Sequence, residues 1–188
     1  MANTCCTMVR LNLIIAGFPG SGKGTQAKKI ADHYGLKHVS SGELLREEAK
    51  KDSSPYAQEI NKLASSGKLY PDDLVKSVLL ERVPSDNFIL DGYPRKLSQV
   101  ETFKNIDLVI FLTLSEKEAI KRITRRKEGR PDDNAKTAET RISVFMKNTK
   151  PVMDYFSKKG LLVEIDGDQS IDDVFSAIKE AIYKRFQV

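Results

Sequence analysis

The short, mostly apolar run Leu11 to Ala16 feeds into Gly17-Phe18-Pro19-Gly20-Ser21-Gly22-Lys23-Gly24-Thr25, and Gln26 to Tyr34 then continues with helical spacing. A strand that ends in such a loop and reopens as a helix is the context a phosphate-binding loop requires. Glycines let backbone N–H groups turn toward a polyphosphate at the positive end of the helix, while Lys23 reaches its terminal phosphates. A plain strand-to-helix turn would need no such combination of four glycines, a proline and a lysine. The residue after Lys23 departs from the general pattern: Gly24 stands where Ser or Thr is usual, and the hydroxyl appears one position later, at Thr25.

Further strand-like runs lie at Phe88 to Leu90, Leu108 to Leu114 and Leu161 to Ile165, with a weaker candidate at Lys37 to Ser40. Helical stretches separate them. Strands alternating with helices predict an α/β, doubly wound fold: a parallel five-stranded sheet flanked by helices, since parallel connections need crossovers. Ligands of such sheets sit beyond the carboxyl ends of the strands, so Gly17 onward, Ser40 onward and Asp91 onward are expected to converge. The polar stretch Lys50 to Pro55 reads as a surface loop.

With 188 residues and 40% apolar content, the chain suits one domain with a sizeable core. Its 31 Lys plus Arg against 26 Asp plus Glu leave a net charge of +5, which serves a nucleic acid, an acidic surface or a small polyanion equally well. Cys5 and Cys6, adjacent in sequence, make neither a good structural disulfide nor more than half a zinc site. No secretory signal, no run of membrane-spanning length and no glycine at position 2 are present, which predicts a cytoplasmic protein without a membrane partner.

Asp91 stands just past the buried run Phe88-Ile89-Leu90, where a carboxylate is costly unless a cation is near. It either caps the Gly92-Tyr93-Pro94 turn or holds the water shell of a magnesium ion. Arg95 follows over the same edge, and a guanidinium there can clamp a phosphate bidentately. Arg122 and Arg126, four apart, share one helix face; Arg130 and Arg141 follow. By periodicity these arginines form either a solvated basic face, as Arg125 and Lys127 do, or a cover folding over a ligand. His33 and His38 read as ordinary structural or surface residues.

Gly17 to Gln26, Ser40-Ser41-Gly42-Glu43-Leu44-Leu45-Arg46, Gly67-Lys68-Leu69-Tyr70-Pro71-Asp72, Asp91-Gly92-Tyr93-Pro94-Arg95 and Gly129-Arg130-Pro131-Asp132-Asp133-Asn134 together resemble the adenylate kinases, in order and in spacing. The likeness runs from about Leu11 to the last helix. It implies a sheet of the phosphate-loop NTPase type with a small helical insert over the nucleoside monophosphate, about 40–70, and a very short lid, about 126–133.

The resemblance also implies roles. Gly20, Ser21, Gly22, Lys23, Gly24 and Thr25 bind ATP phosphates, Arg122 lies on the ATP adenine with Gln169 on the same side, and Arg126 closes over the phosphates. Ser41, Arg46, Lys68, Leu69, Tyr70, Gly92, Tyr93, Pro94, Arg95 and Gln99 bind AMP, joined by Arg130 and Arg141. Lys23, Arg95, Arg126, Arg130 and Arg141 carry the transfer; Asp132 and Asp133 orient the lid arginines. Mg2+ is held by Asp91 through water, with Thr25 as a second candidate. ATP, AMP and ADP are the implied partners of a monomer.

ATP and AMP together bring charges of about −4 and −2 at neutral pH. Lys23, six arginines and Mg2+ answer that charge, and an already ionised phosphate acceptor needs no general base. Two departures bear on the expectation. Many adenylate kinases have Thr at the place of Ser41 and Asp at that of Glu43, and the related UMP/CMP kinases have Ala followed by Gly-Glu-Leu-Leu-Arg, so that Glu43 matches the latter; Gln99 matches an adenine-reading glutamine, whose amide can both donate and accept. Only Lys127, Glu128 and Gly129 separate Arg126 from Arg130, which excludes a cysteine-ligated zinc lid and unsettles the register of Arg126. The rival readings are a UMP/CMP kinase, a nucleotide-binding regulator without catalysis, and a nucleic-acid binder suggested only by a pI near 9.1.

Overall fold

The structure, a computed structural model, describes residues 10–64, 66–125 and 135–188, the side chains of 135 and 136 excepted. Arg126, Arg130, Asp132 and Asp133, and with them the short-lid expectation, lie outside the described residues, as do Cys5 and Cys6. Five strands form one sheet: β1 (Asn12–Gly17), β2 (Lys37–Ser40), β3 (Phe88–Asp91), β4 (Leu108–Thr113) and β5 (Leu162–Asp166). All pairings are parallel, in the order β2-β3-β1-β4-β5. The doubly wound α/β sheet expected from the alternation is therefore present, and each strand boundary lies within a residue or so of the apolar run that predicted it.

Helices cover both faces, which is why β1, β3 and β4 read as continuous apolar runs rather than alternating ones. Leu13, Ile15, Ile89, Ile110 and Leu112 face α1 (Lys23–Tyr34) and α8 (Ile171–Phe186). Ile14, Leu90, Val109 and Phe111 face the opposite layer, where α4 (Asp72–Leu80) and α7 (Lys150–Lys158) contribute Leu74, Val78, Val152 and Phe156. Between β2 and α4 lie α2 (Ser41–Glu48), begun by the Ser40 hydroxyl accepting from Glu43 N–H at 3.4 Å, and α3 (Ala57–Ala64). The segment 50–55 between them is an exposed loop apart from Ser54.

After β4 come α5 (Glu116–Arg125) and α6 (Ala135–Val144). The latter runs into a π-helical stretch, Phe145–Thr149, before α7 begins at Lys150. Such stretches gather at functional sites. Here it turns Phe145 onto Phe18 of the phosphate loop, ring centroids 4.5 Å apart, and Thr149 Oγ onto the Arg95 carbonyl at 3.2 Å. Strand register then decides what meets at the carboxyl edge: Ser40 pairs with Asp91, Ile15 with Asp91 and Ile110, and Gly17 with Leu112. Among the described residues no helix is long and apolar enough to cross a membrane.

Candidate active site

The loop after β1 is shaped by positions that only glycine fills easily. Gly20 and Gly22 hold φ of 85° and 83°, in the left-handed region, and Gly22 is the residue at which α1 begins. A Cβ on Gly17 would come within 2.7 Å of the Leu112 carbonyl oxygen, so the loop is seated against β4 without room for a side chain. No acidic residue lies in the first turn of α1, so the helix's own side chains do not offset its N-terminal dipole, which suits an anion. Lys23 opens that helix and lines the adjoining cleft.

Asp91 is 8% exposed, and its carboxylate looks toward the loop, since a Cβ on Gly24 would sit 3.5 Å from Asp91 Oδ2. His38 Nε2 approaches the same oxygen at 3.7 Å and meets no direct hydrogen-bond partner. Burial pushes the Asp91 carboxyl up, but the His38 imidazole, the Lys23 ammonium and the Arg95 guanidinium outweigh it and hold the group below the ordinary carboxylate value. A depressed folded value means that Asp91 adds stability fully present above about pH 3.9 and lost as pH falls through that lower value. Parent and Asp91→Asn should therefore differ by a constant amount near neutrality, with the gap in urea-unfolding free energy narrowing as pH falls below about 4. A gap independent of pH contradicts the assignment.

Beyond Asp91, the Arg95 Nε–H donates to the Gly92 carbonyl at 2.7 Å, which sets the plane of the guanidinium. Gly92 has φ 78°, and a Cβ there would stand 2.9 Å from both Arg95 Nη2 and Ser41 Oγ. Ser41, 3% exposed, has its hydroxyl 3.1 Å from the Asp91 carbonyl and 2.9 Å from that of Gly92, tying the start of α2 to the end of β3. That hydroxyl must rotate before it can donate to a phosphate. Arg46 lies one turn along α2, its guanidinium against Gly42. Gly67, the turn leading to Lys68, Leu69 and Tyr70, packs on Thr137 and Arg141 of α6; a Cβ there would meet them at 2.9 and 3.3 Å. Gly17, Pro19 and Lys23 face Gly67, Leu69, Arg95 and Arg141 across one cleft, with Tyr93 and Pro94 along its wall.

Gln99, 5% exposed in the short turn Leu97–Gln99, is more constrained than two-way base pairing requires. Its Oε1 accepts from the N–H groups of Arg95 (2.7 Å) and Lys96 (3.3 Å), and its Nε2 donates to Asp72 at 3.0 Å. Both oxygen lone pairs and one N–H are thus committed within the protein, and one N–H remains to be offered. On the other flank, Arg122 forks onto Glu118 Oε1 (3.0 Å), the Gly167 carbonyl (2.8 Å) and Asp168 (2.8 Å). This draws the segment carrying Gln169 beside Gly20, whose Cβ would lie 3.5 Å from that of Arg122. Gln169 itself is exposed and donates to Asp166.

Three neighbours of this cleft carry no sequence signal as site residues. His38, read as an ordinary structural or surface residue, is largely buried against Asp91. Phe145 and Thr149 arrive through the π stretch. His33 packs edge-on against Tyr34 and Phe175 and stays structural. A larger groove of about 480 Å3 between β5 and α8 presents Glu180, Lys184 and Arg185 around an apolar floor and touches none of these residues. Among the described residues no cluster of three His, Cys, Asp or Glu could hold a metal by protein ligands alone.

The adenylate kinase family model matches residues 15–161. Among curated proteins the chain is similar to adenylate kinase isoenzyme 1 of Caenorhabditis elegans, 42% identical over 87% of this chain and 83% of that protein. It is likewise similar to the adenylate kinase of Encephalitozoon cuniculi (strain GB-M1), 41% identical over 90% and 97%. UMP-CMP kinase 1 of Oryza sativa subsp. japonica is 38% identical over 89% and 72%. The matched span runs from within β1 through α7 and contains the phosphate loop's Lys23, the Asp91 carboxylate and the Arg95 guanidinium. On that span and these identities, the chain belongs to the adenylate kinase family of phosphotransferases.

Proposed function

We propose that the chain transfers the terminal phosphoryl group of MgATP to AMP, reversibly, giving two ADP. The observation that carries this reading is the shared cleft: the phosphate loop's Gly17, Pro19 and Lys23 line it together with Arg95, Arg141, Gly67 and Leu69. A donor polyphosphate on the α1 N-terminus and an acceptor phosphate on Arg95 would then meet end to end. Gly20 to Thr25 hold the donor phosphates by backbone N–H groups, and Lys23 neutralises the transferring group. Arg46, Arg95 and Arg141 take the acceptor phosphate, with Ser41 and the backbone of Lys68 to Tyr70 and Gly92 to Pro94 lining its nucleoside. Arg122, three of its five in-plane donors committed within the protein, offers its flat face to the donor base, beside Gln169.

A single buried carboxylate directed at the loop suits Mg2+, which takes one or two carboxylates and keeps several waters. Asp91, through water, and Thr25 would hold it; the ion supplies charge neutralisation on the phosphates. The acceptor is already ionised, so the residues position the two ends in line and stabilise charge, without a general base. Arg126 and Arg130 in a short lid, about 126–133, oriented by Asp132 and Asp133, complete the charge balance. Closure of that lid and of the insert, about 40–70, keeps water from the transferring group. We assign the chain to the cytoplasm as a monomer without nucleic-acid or membrane partners.

A UMP/CMP kinase is the second reading, favoured by Glu43 and the similarity to the Oryza sativa protein. Initial rates with MgATP and AMP, UMP or CMP at equal concentration separate the two. AMP is expected to be phosphorylated at least about tenfold faster, the scale one committed hydrogen bond to a charged or fixed partner sets. Faster turnover of UMP or CMP overturns the choice of acceptor.

A further inference from the structure

The Gln99 amide is anchored from an unexpected quarter. Asp72, the first residue of α4, receives three donors from the segment after Arg95: Lys96 Nζ at 2.6 Å and Gln99 Nε2 at 3.0 Å on Oδ1, and Ser98 Oγ at 2.6 Å on Oδ2. The amide cannot flip at low cost. Turning it over would set an NH2 group against the N–H groups of Arg95 and Lys96, and a carbonyl oxygen against the Asp72 carboxylate. Both contacts would be repulsive. One N–H of Nε2 is therefore the sole polar atom that Gln99 can present to a ligand.

We infer that Asp72 is a specificity-determining positioning residue: by holding the Gln99 amide with its nitrogen outward, it makes the acceptor-base pocket demand a hydrogen-bond acceptor at the ring-nitrogen position of the base edge. This rests on the proposed contact between Gln99 and the acceptor base. Adenine offers an unprotonated ring nitrogen, N1, on its pairing edge. Hypoxanthine, of the same size, carries a proton there, so AMP and IMP differ at the atom that a fixed N–H reads. Without Asp72 only the Arg95 and Lys96 N–H groups hold the amide, so its turned-over form, which offers the oxygen to that N–H, becomes less costly to reach. The discrimination then falls, because the wrong base is no longer always met by a like donor. Asp72 would act only through Gln99 and would touch no substrate.

The test is kcat/KM for AMP and for IMP, with MgATP, in the parent, Asp72→Ala, Asp72→Asn, Gln99→Ala and the double Asp72→Ala/Gln99→Ala variant. Thermal unfolding of each variant establishes that the compared proteins are folded. Asp72→Ala should reduce the AMP-over-IMP ratio about tenfold while leaving KM for ATP within about twofold. Asp72→Asn, which keeps an acceptor for Gln99 Nε2, should retain most of the ratio. The double variant should be no less selective than Gln99→Ala alone, because the two residues act in one chain. If Gln99→Ala loses selectivity while Asp72→Ala keeps it, the inference fails and the base contact stands. If Gln99→Ala keeps the parent ratio, the base contact itself fails and the inference with it. Equal loss in Asp72→Asn and Asp72→Ala would assign the effect to the Lys96 ion pair and overturn the amide account.

Discussion

Lys23→Ala should lower kcat for MgATP plus AMP by about 10²–10³, the usual loss when one preorganised donor aimed at developing charge is removed. The ammonium opens α1 and lines the cleft that also carries Arg95 and Arg141, and no other lysine lines that cleft among the described residues. Affinity for ATP should fall far less. The left-handed Gly20 and Gly22, and a first turn without acidic residues, keep the loop's N–H groups directed at phosphate when the side chain is gone. Steady-state ADP formation together with equilibrium ATP binding checks both halves. A variant within about threefold of the parent kcat would remove Lys23 from the transfer step.

Arg95→Lys should cost about 10²-fold in kcat/KM for AMP, although the charge is unchanged, and should leave KM for ATP nearly as it was. Its Nε is fixed on the Gly92 carbonyl at 2.7 Å, which orients the guanidinium plane; a lysine has no such second point of attachment. A planar fork pairs with two phosphate oxygens at once, and a point charge does not. Arg95→Ala should lose more still, since Asp91 would then also lack one of the cations that keep it ionised. The contrast between the AMP and ATP parameters is the decisive readout. Equal loss on both substrates would place Arg95 in the donor site or in folding rather than beside the acceptor.

Much of the framework could be read from the residues because the physics there is local. Short, largely apolar runs bounded by turns became strands within about one residue of their limits, and even the weaker Lys37–Ser40 did so. The phosphate loop was legible because its backbone demands particular residue types at particular places, as the φ values of Gly20 and Gly22 explain. His38 was not. Its approach to Asp91 follows from β3 lying between β2 and β1, a neighbour relation that chain order does not state. The π stretch at Phe145–Thr149 has no marker in the apolar period, because it is set by how Phe145 packs on Phe18 and Phe111. Gln99 was identified by position, but the orientation of its amide depends on Asp72, 27 residues away in sequence, and on two backbone N–H groups.

Direct transfer between two nucleotides in one cleft is best tested by stoichiometry. The purified protein is incubated with MgATP and AMP, and ATP, ADP, AMP and inorganic phosphate are quantified together over time. The account predicts two ADP formed for each AMP consumed, one ATP lost alongside, and no accumulation of inorganic phosphate. Release of inorganic phosphate from ATP with AMP left intact would contradict it.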